Sequence, residues 1–179
     1  MRYVALLRGI NVGGNNTVSM AELRVCFEQL GFTDVSTYIN SGNVFFTTTE
    51  TDEPDMISQI EHGVQNTFGF LVRTTVISAI ELQKALAAAP AWWGDDPAAK
   101  HNAIFVIPPA QPKDIMAEVG TAKPEYERVA ASGHVIFWSA PLATFGRTRW
   151  SKIVGTRAYQ DITIRSANTT RKLLELAGT

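Results

Sequence analysis

A chain of 179 residues with 45% hydrophobic side chains can bury a core and makes one mid-sized domain or two small ones. No apolar run approaches bilayer-spanning length, and a single cysteine, Cys26, excludes a disulfide framework within the chain; with a strand pattern starting at once, a cytoplasmic protein without a membrane partner is expected. Net charge is only −1 and the pI near 6.3 argues against a dedicated DNA binder, yet residues 139–179 hold seven basic against two acidic side chains. That balance of +5 points to an anionic partner for the C-terminal quarter, with a solvated basic helix face as the plainer alternative.

In chain order, alternation predicts a strand over 2–8, then a Gly- and Asn-rich loop. A helix over 20–30 follows, with Leu23, Phe27 and Leu30 on one face, Ser19 and Glu22 as a capping box, and Gly31 as its stop. Cys26 falls inside that helix and reads as a small core residue. A strand over 34–40, a two-residue turn at Ser41-Gly42 and a strand from Val44 form a hairpin. A helix over 53–67 places Met56, Ile60, Val64 and Phe68 at helical spacing, and a strand from Leu71 to Ile77 closes a β-α-β-β-α-β order.

The order then repeats. A bridging helix capped by Ser78 and Glu81 runs to about residue 89, and residues 90–100 form a connection. Beyond it come a strand (103–107), a helix (111–119), a strand (125–130), a turn at Ser132-Gly133 and a strand (134–139). A helix near 149–158, a strand (161–165) and a helix (168–177) complete it. The expected fold is α+β, two tandem ferredoxin-like halves with antiparallel sheets: 1–77, a bridge over 78–100, and 101–179.

Residues 8–18 read R-G-I-N-V-G-G-N-N-T-V, lacking both the Walker and the dinucleotide glycine spacing. Glycines and asparagines tolerate positive φ and leave backbone N–H groups to face a ligand, beside the positive end of the next helix. With sheet order 4-1-3-2, strands one and two end on the same edge. Arg8, Gly9, Asn11, Gly13, Gly14 and Asn15 therefore meet the hairpin residues Asn40, Ser41, Gly42 and Asn43. Donors dominate there, which suits an anion or polar ligand. The same logic in the second half brings Arg147 and Arg149 towards Arg165, Asn168 and Thr169 as a second basic zone, where Ser166 or Asn168 also suits a helix cap.

The runs L-L-R-G-I-N-V-G-G-N-N at 6–16, Y-I-N-S-G-N-V at 38–44, G-R-T-R at 146–149 and T-I-R-S-A-N-T-T-R-K-L at 163–173 resemble a widespread bacterial family of uncharacterised proteins. That family is catalogued as a domain of unknown function, sixteen-ninety-seven in its series, and the resemblance covers nearly the whole chain. It implies two ferredoxin-like halves and brings no established activity. The family's last motif usually reads Thr-x-Arg-Asn-Trp-Asn-Thr, and Ser166 and Ala167 depart from it.

His62, His101 and His134 lack metal-ligand spacing and read as surface or edge histidines, so no metal or cofactor is expected. Asp95-Asp96 and Glu125/Glu127 read as solvated charge, and Ser41 has no adjacent base. Trp92, Trp93, Trp138 and Trp150 suit stacking on bases or packing. The expectation is a binding protein for a phosphate-bearing ligand, a nucleotide or single-stranded nucleic acid. The alternatives are an acylphosphatase-like hydrolase, by fold analogy, or a structural and interaction module.

Overall fold

The computed structural model describes residues 1–178. It contains two four-stranded antiparallel sheets, each the centre of one compact unit. The first unit is residues 1–82 with the chain from Leu173 on, and the second is Gln83–Lys172, so the division falls inside the bridging helix.

The first sheet holds β1 (Arg2–Leu7), β2 (Thr33–Tyr38), β3 (Asn43–Thr47) and β4 (Thr74–Ser78), in the order β2-β3-β1-β4. Helices α1 (Met20–Gln29) and α2 (Glu53–Phe68) cover one face. Helix α1 starts where Ser19 Oγ accepts from Glu22 N at 3.4 Å, and its chain turns off at Gly31, φ +89°. Helix α2 is better bounded: Asp52 Oδ1 accepts from Asp55 N at 3.0 Å, Pro54 fills the first turn, and Gly69 closes it left-handed at φ +80°. Tyr3, Ala5, Leu7, Val44 and Phe46 from the strands meet Leu23, Phe27, Met56, Ile60 and Val64 from the helices. The Val, Leu, Ile, Phe and Met side chains among these each contribute roughly 1.5–3 kcal/mol on burial. Cys26 is buried in this core.

After α3 (Ala79–Ala87), the second sheet holds β5 (Ala99–Val106), β6 (Arg128–Ser132), β7 (Val135–Pro141) and β8 (Ile162–Ser166), in the order β6-β7-β5-β8. Helix α4 (Pro112–Val119) and the start of α5 (Ala167–Ala177) belong to this unit. The order of strands matches that of the first sheet.

Several boundaries differ from the sequence reading, for local reasons. In place of the expected helix near 149–158 stand two 3₁₀ segments, Trp150–Gly155 and Arg157–Asp161, which follow a third at Leu142–Arg147. Thr148 and Thr156 end the first two in chain order, each donating its hydroxyl to the carbonyl three residues back at 2.7 Å. Such local bonds compete with helix propagation. The strand expected over 125–130 starts at Arg128 because Glu127 does other work. Instead of a solvated charge it is buried, and its carboxylate accepts from Lys123 N (3.1 Å), Arg149 N (2.8 Å) and Trp150 N (3.1 Å). It caps the segment carrying Trp150, which is fully buried with Ile153 and Ala158. The strand expected from Leu71 starts at Thr74, and Leu71 is exposed.

Candidate anion-binding site

Both polar stretches of the first unit lie at the edge where β1 and β2 end. The loop after β1 is a miniature hairpin rather than an open cradle of N–H groups. Asn11 N donates to Asn16 O at 3.1 Å and Asn15 N to Val12 O at 3.0 Å. Gly13 and Gly14 form its tip with φ of +58° and +78°, the positive pair that a tight turn of the primed kind demands. The tip, including Asn15, is exposed.

Asn11 itself is a clasp, held at φ +54°. Its Oδ1 accepts from Val18 N at 2.8 Å, and its Nδ2 donates to Val18 O and to Asn40 O, both at 3.0 Å. The loop and the β2–β3 hairpin are thereby tied, as topology required. That hairpin is not the two-residue turn expected. Tyr38 pairs with Asn43, leaving a four-residue loop, Ile39 to Gly42. Ile39 stands at φ +48°, a left-handed conformation that a β-branched residue rarely adopts and that no sequence pattern announces. Asn43, fully buried, closes the loop from inside, donating to Tyr38 O at 3.0 Å and Ser41 Oγ at 2.9 Å.

Gly42 lets the hairpin lie flush on β1. Leu7 N donates to Gly42 O at 2.8 Å, and a Cβ on Gly42 would stand 2.9 Å from Leu7 Cβ and 3.0 Å from Ile10 Cγ1. Its φ of +76° excludes most other residues independently.

The charge at this edge comes from two arginines. Leu7 pairs with Thr74, and Arg8 N donates to Arg73 O at 2.9 Å, so Arg8 and Arg73 stand opposite each other at the ladder's end. Glu61 is the neighbouring anion: its Oε1 accepts from Thr74 N at 2.7 Å. Burial pushes the Glu61 carboxyl up, while the Thr74 N–H and the Arg73 charge pull it down. Arg73 and Glu61 were missed in the sequence. Arg73 was legible, since β4 runs antiparallel to β1 and begins where β1 ends.

The second basic zone does not assemble around one point. The Arg147 guanidinium lies 5.8 Å from the Tyr126 ring centre, and Arg149 packs beside Gly120. Arg165 is buried and donates to Thr163 Oγ1 at 2.7 Å and Ile164 O at 3.0 Å. Burial lowers its guanidinium to about 10. Ser166 is the cap of α5, accepting from Thr169 N at 3.2 Å, and Asn168 is exposed. Trp93 and Trp150 are buried, their indole N–H groups donating to Asn102 O and Gly120 O, so packing is their role in this fold. Among the described residues no three His, Cys, Asp or Glu side chains gather into a metal set, and no helix is long and apolar enough to cross a membrane.

The Gly-rich loop and the hairpin are also where the chain matches known proteins. The family model of the protein of unknown function DUF1697 matches residues 1–137, which include both stretches. The chain belongs to this family. The match stops short of the motifs at 146–149 and 163–173. A conserved bacterial protein, SP0830 from Streptococcus pneumoniae, has a similar solved structure: TM-score 0.89, 31% identity, and 98% of each chain covered. Among curated proteins there is no match. For the DUF1697 chain, family and fold are thus in hand, and function has to be argued from the site.

Proposed function

We propose that the loop edge of the first unit binds a phosphate-bearing ligand, a nucleotide or a single-stranded nucleic acid, with Arg8 and Arg73 as its cations. The observation that carries this reading is their opposition across the end of the β1–β4 ladder, Arg8 N to Arg73 O at 2.9 Å. Like charges directly opposed in a ladder repel, and Arg8, Arg73 and Glu61 together sum to one positive charge. An anion at this edge relieves that repulsion, and arginine forks suit phosphate oxygens. The exposed side chains of Val12, Ile39 and Leu71 at the same edge supply apolar surface for a base or sugar.

Binding is favoured over acylphosphatase-like hydrolysis because the Asn11 and Asn43 amides are held by main-chain and Ser41 partners. The two stretches, 8–18 and 38–43, also contain no Asp, Glu or His. Each unit, on its β-α-β-β order and sheet order, is proposed to be a ferredoxin-like half. A cytoplasmic location belongs to the same proposal and rests on the single cysteine.

The test is a thermal-shift series with pyrophosphate, nucleotides and short single strands on wild type, Arg8→Ala and Arg73→Ala. A ligand at about a hundred times its Kd adds roughly 2.7 kcal/mol, worth about 2–4 °C per kcal/mol at this length. A shift in wild type that both variants lose is expected. A flat response to every phosphate compound overturns the proposal, and product analysis with the same ligands separates binding from hydrolysis.

A further inference from the structure

The second sheet carries a polar row that the site above does not use. In the register of β5, β7 and β6, His101 stands opposite Ser139, and Ser139 opposite Arg128. Directly opposed residues project from the same face, so the three form a line across the sheet. Ile104, Ile136 and Trp138 lie on the other face, in the core of the unit. Residues 91–98 fold over the row. Trp93 anchors them, its indole N–H donating to Asn102 O at 2.8 Å and its ring meeting Phe137 edge-on at 4.9 Å. Under this strap lies a cavity of about 400 Å³, lined by His101, Ser139, Arg128, Trp92, Tyr126 and Asp96 among others. That volume is within the range of small-molecule sites, about 300–1,000 Å³.

The bonds around His101 set its chemistry. Nε2 lies 2.9 Å from the Asp96 carbonyl oxygen, and Nδ1 lies 2.5 Å from Ser139 Oγ. A carbonyl only accepts, so Nε2 carries the hydrogen. In the neutral ring Nδ1 then has a lone pair, and the Ser139 hydroxyl donates to it. Hydroxyl, imidazole and orienting acceptor stand in the order required of an activated nucleophile, inside a cavity. A pair serving only to join β5 to β7 has no need of an open cavity beside it, or of a carbonyl that selects the tautomer.

We propose that Ser139 is a nucleophile activated by His101, and that the second unit transfers acyl groups from small carboxylic esters to water. Ser139 Oγ attacks the ester carbonyl carbon as its proton passes to His101 Nδ1. The bond to the alcohol breaks, and the leaving oxygen takes that proton. Water then attacks the acyl-serine, giving its proton to Nδ1, and Ser139 recovers a proton as the carboxylic acid leaves. Arg128, in line with Ser139, is the cation placed to meet the charge on the tetrahedral oxygen. Asp96 and Glu125 among the lining residues disfavour anionic acyl groups, whereas Trp92 and Tyr126 favour uncharged, apolar ones.

The test uses the full chain with p-nitrophenyl acetate and a fluorophosphonate, followed by intact mass and peptide mapping. One adduct per chain on Ser139 and steady release of p-nitrophenol are expected. His101→Gln is expected to slow labelling at least a hundredfold, the scale of general-base catalysis, with an unchanged melting temperature. Ser139→Ala is expected to remove the adduct. Failure of folded wild type to label overturns the proposal without recourse to any variant. An adduct at another residue overturns it too, as does labelling that His101→Gln leaves at the wild-type rate in a folded protein.

Discussion

The two units reach the same strand order by different crossovers. In the first, the segment between the third and fourth strands is the sixteen-residue helix α2, capped at both ends and lined by Met56, Ile57, Ile60 and Val64. In the second, the corresponding residues form three 3₁₀ segments, interrupted at Thr148 and Thr156 and hung from the Glu127 carboxylate. Sheet order thus depends on strand pairing and on having an apolar face to cover. The cover itself is interchangeable. A periodic helix covers with its own stripe, whereas the 3₁₀ run needs a buried anion to satisfy its main chain before Trp150 and Ile153 can be presented.

This difference predicts where each unit breaks. Glu127→Ala removes the acceptor for three N–H groups, that of Trp150 buried and those of Lys123 and Arg149 part-buried, and is expected to cost about 4 kcal/mol. Chemical denaturation should show that loss, with hydrogen exchange concentrated at 147–153. A comparable loss in the first unit would mean that the crossover is not supported locally. Gly42→Ala strikes the first unit where hairpin meets β1. Steric conflict with Leu7 and Ile10 plus the left-handed φ are expected to cost about 2–3 kcal/mol, about 4–12 °C in melting temperature at this length.

The smallest effect is a gain. Glu53, at the first residue of α2, has its carboxyl pushed up to about 6 by burial first, then by the Glu81 charge and the hydrogen bond they share, and by Asp52. The folded state therefore holds that proton more tightly than the unfolded chain does. Its contribution is complete below about pH 4.5 and is lost as pH rises through about 6. Glu53→Gln should flatten that decline and add about 1 kcal/mol at pH 7.5, the full linkage value being reduced because Glu53 is partly exposed. A pH-stability series on both proteins checks it. An unchanged slope between pH 4.5 and 6.5 would show that the pair does not share its proton.

Much of the candidate site was legible because it depends on chain direction. Once β1 and β2 are known to end on the same edge, Arg8, Asn11, Asn40 and Asn43 must meet. What each side chain does there was not legible. Asn11 is a clasp and Asn43 an internal brace, since amide geometry depends on carbonyls that only the folded loop positions. The three 3₁₀ segments escaped because Trp150, Ile153 and Ala158 are spaced almost as a helix spaces its stripe.

By itself the sequence determined the alternation of strands and helices, the two-fold repeat and the family, because periodicity and motifs are properties of neighbours along the chain. Tertiary structure alone decided that His101 lies 2.5 Å from Ser139 across 38 positions of sequence, and that Ser139 stands opposite Arg128. Those pairings follow from strand register, and register is set by how a whole face packs, not by any local run of residues.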